Sequence, residues 1–285
     1  MLKYTIMGFI NSIIEFFHNL FFRNEKSKNI NTSIIDDVHE NQTENTVEPI
    51  NEPQIVEAQT TSVTESEQEV KSNTNNFSKY HVLIDNGHGK NTSGKGSPYS
   101  LVGVEPKLPY REYEWAREIA KLIETELKSI GFSAERIVPE DTDITLTERV
   151  RRVNSRCTLY GVKNTILISI HSNAAGSGSK WMTGRGWSAY TSKGQTDGDK
   201  LCECIYKEAE KNFKGLKIRK DATDGDSDME ENFTMLKKTS CPAVLSENFF
   251  HDNIDDIKFI TSEAGKAAVV KTHVDGIIEY FKNKK

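Results

Sequence analysis

In the C-terminal part of the chain, short apolar runs of the β-strand type alternate with segments of helical periodicity. The runs His81–Asp85, Ile166–Ile170 and Ala243–Ser246 are rich in aliphatic residues, as in buried strands. The segments Glu112–Ile130 and Gly265–Phe281 repeat apolar residues at helical spacing. Strands that alternate with helices predict an α/β fold, in which helices cover a sheet.

Four further elements extend this alternation. Strands are predicted over Phe132–Val138 and Arg185–Tyr190, and helices over Leu146–Asn154 and Asp199–Phe213. In the helix that starts at Glu112, the pattern places Trp115, Ile119, Leu122, Ile123, Leu127 and Ile130 on one buried face. The alternation therefore continues over 79–285, which we predict to be a single folded domain.

The composition changes sharply before residue 79. Residues 24–78 are rich in Asn, Ser, Thr, Gln and Glu, and no aromatic residue lies between Phe22 and Phe77. Residues 30–70 hold ten acidic residues and no Lys or Arg, which gives this stretch a charge of −10. Low hydrophobicity combined with charge of one sign predicts a disordered acidic linker over 24–78.

Residues 1–23 show a third pattern, with Ile and Phe repeated at helical spacing and polar residues on the opposite face. This pattern predicts an amphipathic helix that contacts a membrane surface. Asn11 and Glu15 interrupt the apolar run, and no small-residue cleavage site follows, which disfavours a cleaved signal peptide. A divergent signal or signal-anchor, or a helix that packs on its own protein or on a partner, remains the alternative.

Charge and cysteine content exclude several classes of protein. The 285-residue chain has a net charge of −5, so the part outside the acidic stretch carries +5. That balance excludes a polycation, and we expect no nucleic-acid partner. A mildly basic domain suits an anionic cell-wall polymer, although +5 over this length is also ordinary. The four cysteines lack a CxxC pair, which argues against a disulfide scaffold or a zinc knuckle.

Polar residues with strong functional groups follow three of the predicted strands. His88 follows the first strand, His171 the Ile166–Ile170 strand, and Glu247 the Ala243–Ser246 strand. In open α/β sheets, ligands bind beyond the carboxyl ends of the strands. We therefore expect these three residues to meet in one site.

Metal-assisted hydrolysis can use two histidines and two glutamates, so a second glutamate is expected beside His88, His171 and Glu247. A catalytic zinc takes three protein ligands, such as two His and one Glu, and a further carboxylate moves the proton of the attacking water. The fourth residue should lie near the loop after His88, where Glu112 begins a helix. Glu114 is the competing candidate, and acidic residues favour a helix N-terminus even without a catalytic role.

Four motifs then stand in a recognisable order: DNGHG (85–89), REYEWA (111–116), SIHSNA (169–174) and PAVLSENFF (242–250). With them the chain resembles the zinc-dependent N-acetylmuramoyl-L-alanine amidases of the amidase 3 type, over about residues 80–281. The resemblance implies one catalytic domain with a twisted, mixed, mostly parallel sheet that helices flank on both faces.

The resemblance also implies roles for the four residues. His88, Glu112 and His171 correspond to the ligands of one zinc ion per domain, and Glu247 corresponds to the catalytic glutamate. The implied reaction hydrolyses the amide between the lactyl group of N-acetylmuramic acid and L-alanine of the stem peptide. Peptidoglycan is then the partner, and the expected place of action is a bacterial cell envelope, periplasmic or membrane-tethered, or a host wall attacked by a phage lysin.

Other functions and contacts remain open from the sequence. A zinc exopeptidase on cell-wall peptides would need a positive pocket, which Arg185 or Arg219 could supply, and an inactive peptidoglycan-binding module is the third reading. Candidate substrate contacts are Asn173, Asn248 and Arg185. The two asparagines could also orient the metal ligands, and simple turn roles are the equal alternative for both. The acidic insert Asp221–Glu231 either shapes substrate contacts or, as we favour, is a surface excursion.

Overall fold

A computed structural model describes residues 77–99, 109–223 and 225–284. The predicted helix over 1–23 and nearly all of the predicted linker over 24–78 lie outside these residues, so both stay predictions. Phe77 already belongs to the fold, because its ring is buried and stacks on Phe132 with 4.3 Å between ring centroids. No helix within the described ranges has the length and apolar character needed to cross a bilayer.

The described residues form one mixed sheet with the strand order β2-β1-β3-β6-β4-β5. The strands are β1 (His81–Asn86), β2 (Ser133–Arg136), β3 (Thr165–Asn173), β4 (Ser188–Thr191), β5 (Met229–Glu230) and β6 (Ala243–Phe250). Strands β2, β1, β3 and β6 run parallel, whereas β4 is antiparallel to β6 and parallel to β5. This arrangement confirms the expected mixed, mostly parallel sheet.

Helices cover both faces of this sheet. They are α1 (Glu112–Ser129), α2 (Leu146–Tyr160), α3 (Asp197–Asn212), α4 (Thr234–Lys237), α5 (Ile254–Thr261) and α6 (Glu263–Asn283). Because successive strand residues point to opposite faces, Val82 and Ile84 pack with α1, α3 and α6, whereas Leu83 packs with α2 and α4. Two apolar cores result, one on each side of the sheet, as the α/β prediction requires.

The strands and helices predicted within the described residues are all present, but several bounds differ. Helix α2 continues to Tyr160, β3 continues to Asn173 and β6 to Phe250, because these segments keep their backbone pairing beyond the apolar run. The predicted buried face of α1 is wrong at Leu122 and Ile130, which are 43% and 40% exposed. The short elements β5, α4 and α5 were not predicted, since so few residues carry little periodicity.

Helices α3 and α6 approach closely at a glycine. A Cβ atom on Gly276 of α6 would lie 2.8 Å from the Cα of Ile205 in α3, well inside van der Waals contact. Ile205 and its neighbours on α3 are fully buried, so the backbone has no free space into which it could retreat. Gly276 thus sets the distance between the two helices.

We expect Gly276→Ala to destabilise the fold. Helix propensity alone would stabilise the protein by about 1 kcal/mol, but overpacking a close helix contact costs roughly 1–3 kcal/mol. Urea unfolding should therefore show a net loss of free energy of unfolding. Lys282→Ala, at an exposed position of the same helix, should stay within about 0.5 kcal/mol of the parent chain. A more stable Gly276→Ala variant would show that the helices do not pack as described.

Candidate active site

The carboxyl ends of β1, β3 and β6 meet at one edge of the sheet. His88 lies two residues after β1, and the parallel pairing of β3 with β6 places His171 directly beside Glu247. Both side chains lie on the α2 face of the sheet and line one cleft together with His88. The structure thus brings together the three residues that the sequence placed at strand ends.

Glu112, the first residue of α1, completes this group. Its carboxylate is 1% exposed, and Oε1 lies 3.1 Å from Nδ1 of His171 and accepts a hydrogen bond of 3.0 Å from the backbone N–H of Ser172. The second oxygen, Oε2, lies 3.5 Å from Nε2 of His88. Glu114, in contrast, is exposed and pairs with Arg111, so only Glu112 reaches the two histidines.

The three side chains fit a metal ion. One ligand atom from each of His88, Glu112 and His171 lies within 4.8 Å of the other two. The Oε2 atom of Glu112 is buried and has no hydrogen-bond partner, which is costly for a carboxylate oxygen unless a cation occupies the space beside it. Two imidazoles and one carboxylate are also a known donor set of catalytic zinc sites.

The protonation states of this group favour a cation. Burial lowers the pKa of His88 to about 4, so its imidazole is neutral near pH 7 and keeps a lone pair. Burial opposes ionisation of Glu112, but its hydrogen bond to His171 and the nearby imidazoles lower its pKa to about 2. Burial lowers the pKa of His171, but the hydrogen bond to Glu112 and the charges of Glu112, Glu247 and Asp85 together raise it above its ordinary value. An ionised carboxylate therefore faces two imidazole rings.

Glu247 has a different environment. Burial raises its pKa to about 7, against the opposing effect of His171, and Oε2 is buried with no hydrogen-bond partner. A carboxyl group with a pKa near 7 can both accept and release a proton at neutral pH. The two glutamates therefore differ in chemistry: Glu112 holds a fixed charge, and Glu247 can transfer a proton.

The backbone around His88 is held in an uncommon conformation. His88 has a left-handed φ of 59°, and a Cβ atom on the preceding residue, Gly87, would lie 2.3 Å from Cε1 of His171. Only glycine at position 87 therefore lets the His171 ring lie against this turn. The two histidine rings meet edge to face, with 5.1 Å between their centroids.

A buried arginine fixes this turn from the α2 side. Arg149 donates to the carbonyl oxygens of Asn86 (2.9 Å) and His88 (3.1 Å) and to the carboxylate of Asp85 (2.5 Å). Arg117 of α1 donates to the same His88 carbonyl at 3.1 Å. No role for Arg149 could be predicted, because it is one of several arginines in the helix sequence LTERVRRVN (146–154), and arginines in helices mostly lie at the surface.

The cleft in front of these residues has a volume of about 850 Å³. One side is formed by the β1 turn and the N-terminal part of α2, and the other by residues 232–235. Leu146 and Phe233 supply exposed apolar surface there, and Lys95 supplies a positive charge. The cleft is thus open to a polymeric substrate and leads directly to His88, His171 and Glu247.

The three candidate substrate contacts lie in different surroundings. Asn248 is wrong as a substrate contact: its side chain is fully buried, donates to the His171 carbonyl (3.0 Å) and accepts from Trp187 (3.0 Å). It therefore orients the His171 strand. Arg185 pairs with Asp255 and Asp256 and does not line the cleft. Asn173 is partly exposed and caps a turn through Ala174, so a substrate contact there stays a prediction.

Comparison with known proteins agrees with the fold and the cleft. The family model described as N-acetylmuramoyl-L-alanine amidase matches residues 82–279. The endolysin of Bacillus phage SPP1 is 30% identical over 211 residues, which cover 72% of this chain and 67% of the endolysin. The N-acetylmuramoyl-L-alanine amidase CwlM of Bacillus licheniformis is 26% identical over 205 residues, which cover 70% of this chain and 68% of CwlM.

Solved structures show the same fold. The N-acetylmuramoyl-L-alanine amidase of Clostridium difficile 630 superposes with a TM-score of 0.59 at 24% identity, covering 72% of this chain and 98% of that one. The family match spans more than half of the chain and includes His88, Glu112, His171 and Glu247. The chain therefore belongs to the N-acetylmuramoyl-L-alanine amidase family, whose members hydrolyse an amide bond of peptidoglycan.

Proposed function

We propose that this chain is a zinc-dependent amidase that cleaves between the lactyl group of N-acetylmuramic acid and L-alanine of the stem peptide. The observation that carries the proposal is the buried carboxylate of Glu112. Its Oε2 has no hydrogen-bond partner and faces the His88 ring, while its Oε1 contacts the His171 ring, and one ligand atom from each of the three residues lies within 4.8 Å of the other two. A cation is the group that would compensate such an arrangement.

His88, Glu112 and His171 would hold the zinc ion. When bound, zinc lowers the pKa of a water molecule toward about 7 and polarises a carbonyl group. The ligands themselves are fixed in advance: the Ser172 backbone N–H holds Glu112, and Arg149 and Arg117 hold the His88 carbonyl. Such support orients metal ligands before the metal arrives.

Glu247 would move the protons of the reaction. Its carboxylate takes a proton from the attacking water as the oxygen bonds to the scissile carbonyl carbon. It then gives that proton to the nitrogen of L-alanine as the C–N bond breaks, which yields a lactyl carboxylate and a free amine. The raised pKa of Glu247, about 7, suits both halves of this transfer near neutral pH.

The structure offers no support for the exopeptidase alternative. That reading required a positive pocket from Arg185 or Arg219 for a terminal carboxylate. Neither residue lines the cleft: Arg185 pairs with two aspartates, and the guanidinium of Arg219 lies over the Phe250 ring at 5.4 Å. An enzyme that cuts within a polymer needs no such pocket.

The place of action follows from the substrate. Similar proteins include a phage endolysin and the probable cell wall amidase LytH of two Staphylococcus species, of whose length the matched part covers 58%. We propose that this chain acts on the cell wall, either as an envelope enzyme or as a phage lysin. Zinc would be its metal in both settings.

Glu247→Gln should separate catalysis from metal binding. The amide keeps the shape of the side chain but cannot take up the proton, so activity should fall by about 10²–10⁴-fold while zinc content stays unchanged. Release of free amino groups from purified peptidoglycan measures the activity, and elemental analysis measures the zinc. Glu231→Gln, an exposed change outside the cleft, serves as the control. Activity of Glu247→Gln within threefold of the parent would rule out the assigned role.

His171→Ala should lose the metal. Removing one of three ligands lowers zinc affinity sharply, so the purified variant should hold much less than one zinc ion per chain. His81→Gln is the matched control, because His81 lies at the opposite end of β1 and contacts Glu135 instead. Circular dichroism checks that both variants fold. An unchanged zinc content in a folded His171→Ala variant would remove this residue from the site.

A further inference from the structure

The acidic segment 221–231 contains a pair of carboxylates that takes no part in the cleft. Asp226 and Asp228 lie just before β5, and neither lines the cleft or contacts His88, Glu112 or His171. Asp228 is only 1% exposed, although the segment around it is mostly at the surface. A buried carboxylate in a surface segment requires a compensating partner.

In each of the two carboxylates, one oxygen accepts a hydrogen bond and the other has no donor. Oδ2 of Asp228 accepts a hydrogen bond of 2.5 Å from the Thr191 hydroxyl, and Oδ2 of Asp226 accepts one of 3.2 Å from the Gln195 amide. The other oxygen of each residue, Oδ1, is buried and has no hydrogen-bond partner. Two neutral donors thus hold the pair in place, the two carboxyl groups lie against each other, and two buried oxygens have no donor.

The surrounding charges make this arrangement unfavourable without a cation. Burial, the contact and charge of Asp226 and the charge of Asp199 together raise the pKa of Asp228 to about 7. Asp199, whose carboxylate caps α3 at Thr196, adds to this repulsion. Among the described residues, no Lys, Arg or His forms an ion pair with Asp226 or Asp228. Negative charge therefore accumulates here with no positive side chain beside it.

We propose that Asp226 and Asp228 bind a divalent cation of the calcium type through their free carboxylate oxygens. Hard cations prefer oxygen ligands, and calcium takes about six to eight of them from carboxylates, backbone carbonyls and water in flexible geometries. A loop with two carboxylates and exposed backbone suits calcium better than magnesium, which demands a near-octahedral shell. This site is separate from the proposed zinc site in both residues and chemistry.

The location gives such a cation a structural consequence. Met229 and Glu230 follow the pair directly and form β5 against β4, and the next residues, 232–235, form one side of the cleft. A cation on Asp226 and Asp228 would fix the start of this segment. Calcium binding is thus expected to stabilise the fold near the cleft without taking part in the reaction.

The competing explanation is a proton shared between the two carboxyl groups. In that case Asp228 is neutral, no cation binds, and asparagine can replace it with little change. Asp228→Asn therefore separates the two explanations: it removes a charge and a ligand oxygen if a cation binds, and it mimics the protonated acid if none does.

Isothermal titration of the zinc-loaded full chain with calcium chloride tests the proposal. We expect one saturable calcium site with a Kd at or below about 1 mM, the range of extracellular calcium modules. Asp228→Asn and Asp226→Asn should each weaken it at least tenfold. Asp197→Asn, an exposed change on the same face of the chain near Asp199, should leave the Kd within twofold. Calcium should also raise the Tm of the parent chain but not that of Asp228→Asn.

The acidic stretch over 30–70 is present in every variant, so any weak binding there remains in the common baseline. Absence of a saturable calcium site, or equal affinity in a folded Asp228→Asn variant, would overturn the proposal. Tighter binding of magnesium than of calcium would overturn the calcium assignment. Circular dichroism checks folding, and neither result depends on whether the chain is an active amidase.

Discussion

The buried carboxylate of Glu112 is the interaction on which the rest of the site depends. Taking a carboxylate out of water is costly unless it is paired and hydrogen-bonded. Here the His171 ring and the Ser172 backbone N–H satisfy one oxygen, and the other faces His88. This geometry fixes the start of α1 against the end of β3, and it leaves one coordination direction that a cation can use. The fold therefore holds a metal-binding arrangement before any metal is present.

The sheet order explains how distant segments supply one site. Because β1, β3 and β6 are neighbours and parallel, their carboxyl ends bring together residues that are up to 159 positions apart, from His88 to Glu247. Arg149 of α2 then holds the β1 turn through the carbonyl oxygens of Asn86 and His88, and Gly87 lets the two imidazoles meet. The acidic pair Asp226 and Asp228 directly precedes β5, and the residues that follow β5 continue into the cleft wall.

Much of the fold and the site could be predicted, because the residues that follow a strand can be identified from the local sequence. An apolar run followed by His or Glu marks the edge of a parallel sheet, which located His88, His171 and Glu247. The choice between Glu112 and Glu114 could not be made from spacing, since it depends on how α1 packs on β3. The role of Asn248 could not be decided from the sequence for a related reason: alternation along β6 turns it toward the buried face opposite Glu247. There its amide accepts a hydrogen bond from Trp187 and donates one to the His171 carbonyl. From the sequence, Asp226 and Asp228 would be taken for surface acids. The burial of Asp228 depends on Thr191 of a neighbouring strand, which the local sequence does not show.

The most direct test is a mass spectrum of the fragments that the chain releases from purified peptidoglycan, with and without a chelator. Hydrolysis of the lactyl amide predicts free stem peptides that begin with alanine. These peptides should disappear when the metal is removed and return when zinc is added back. Shortened peptides still attached to muramic acid would contradict the assigned bond, and release that persists after the metal is gone would contradict the role of His88, Glu112 and His171.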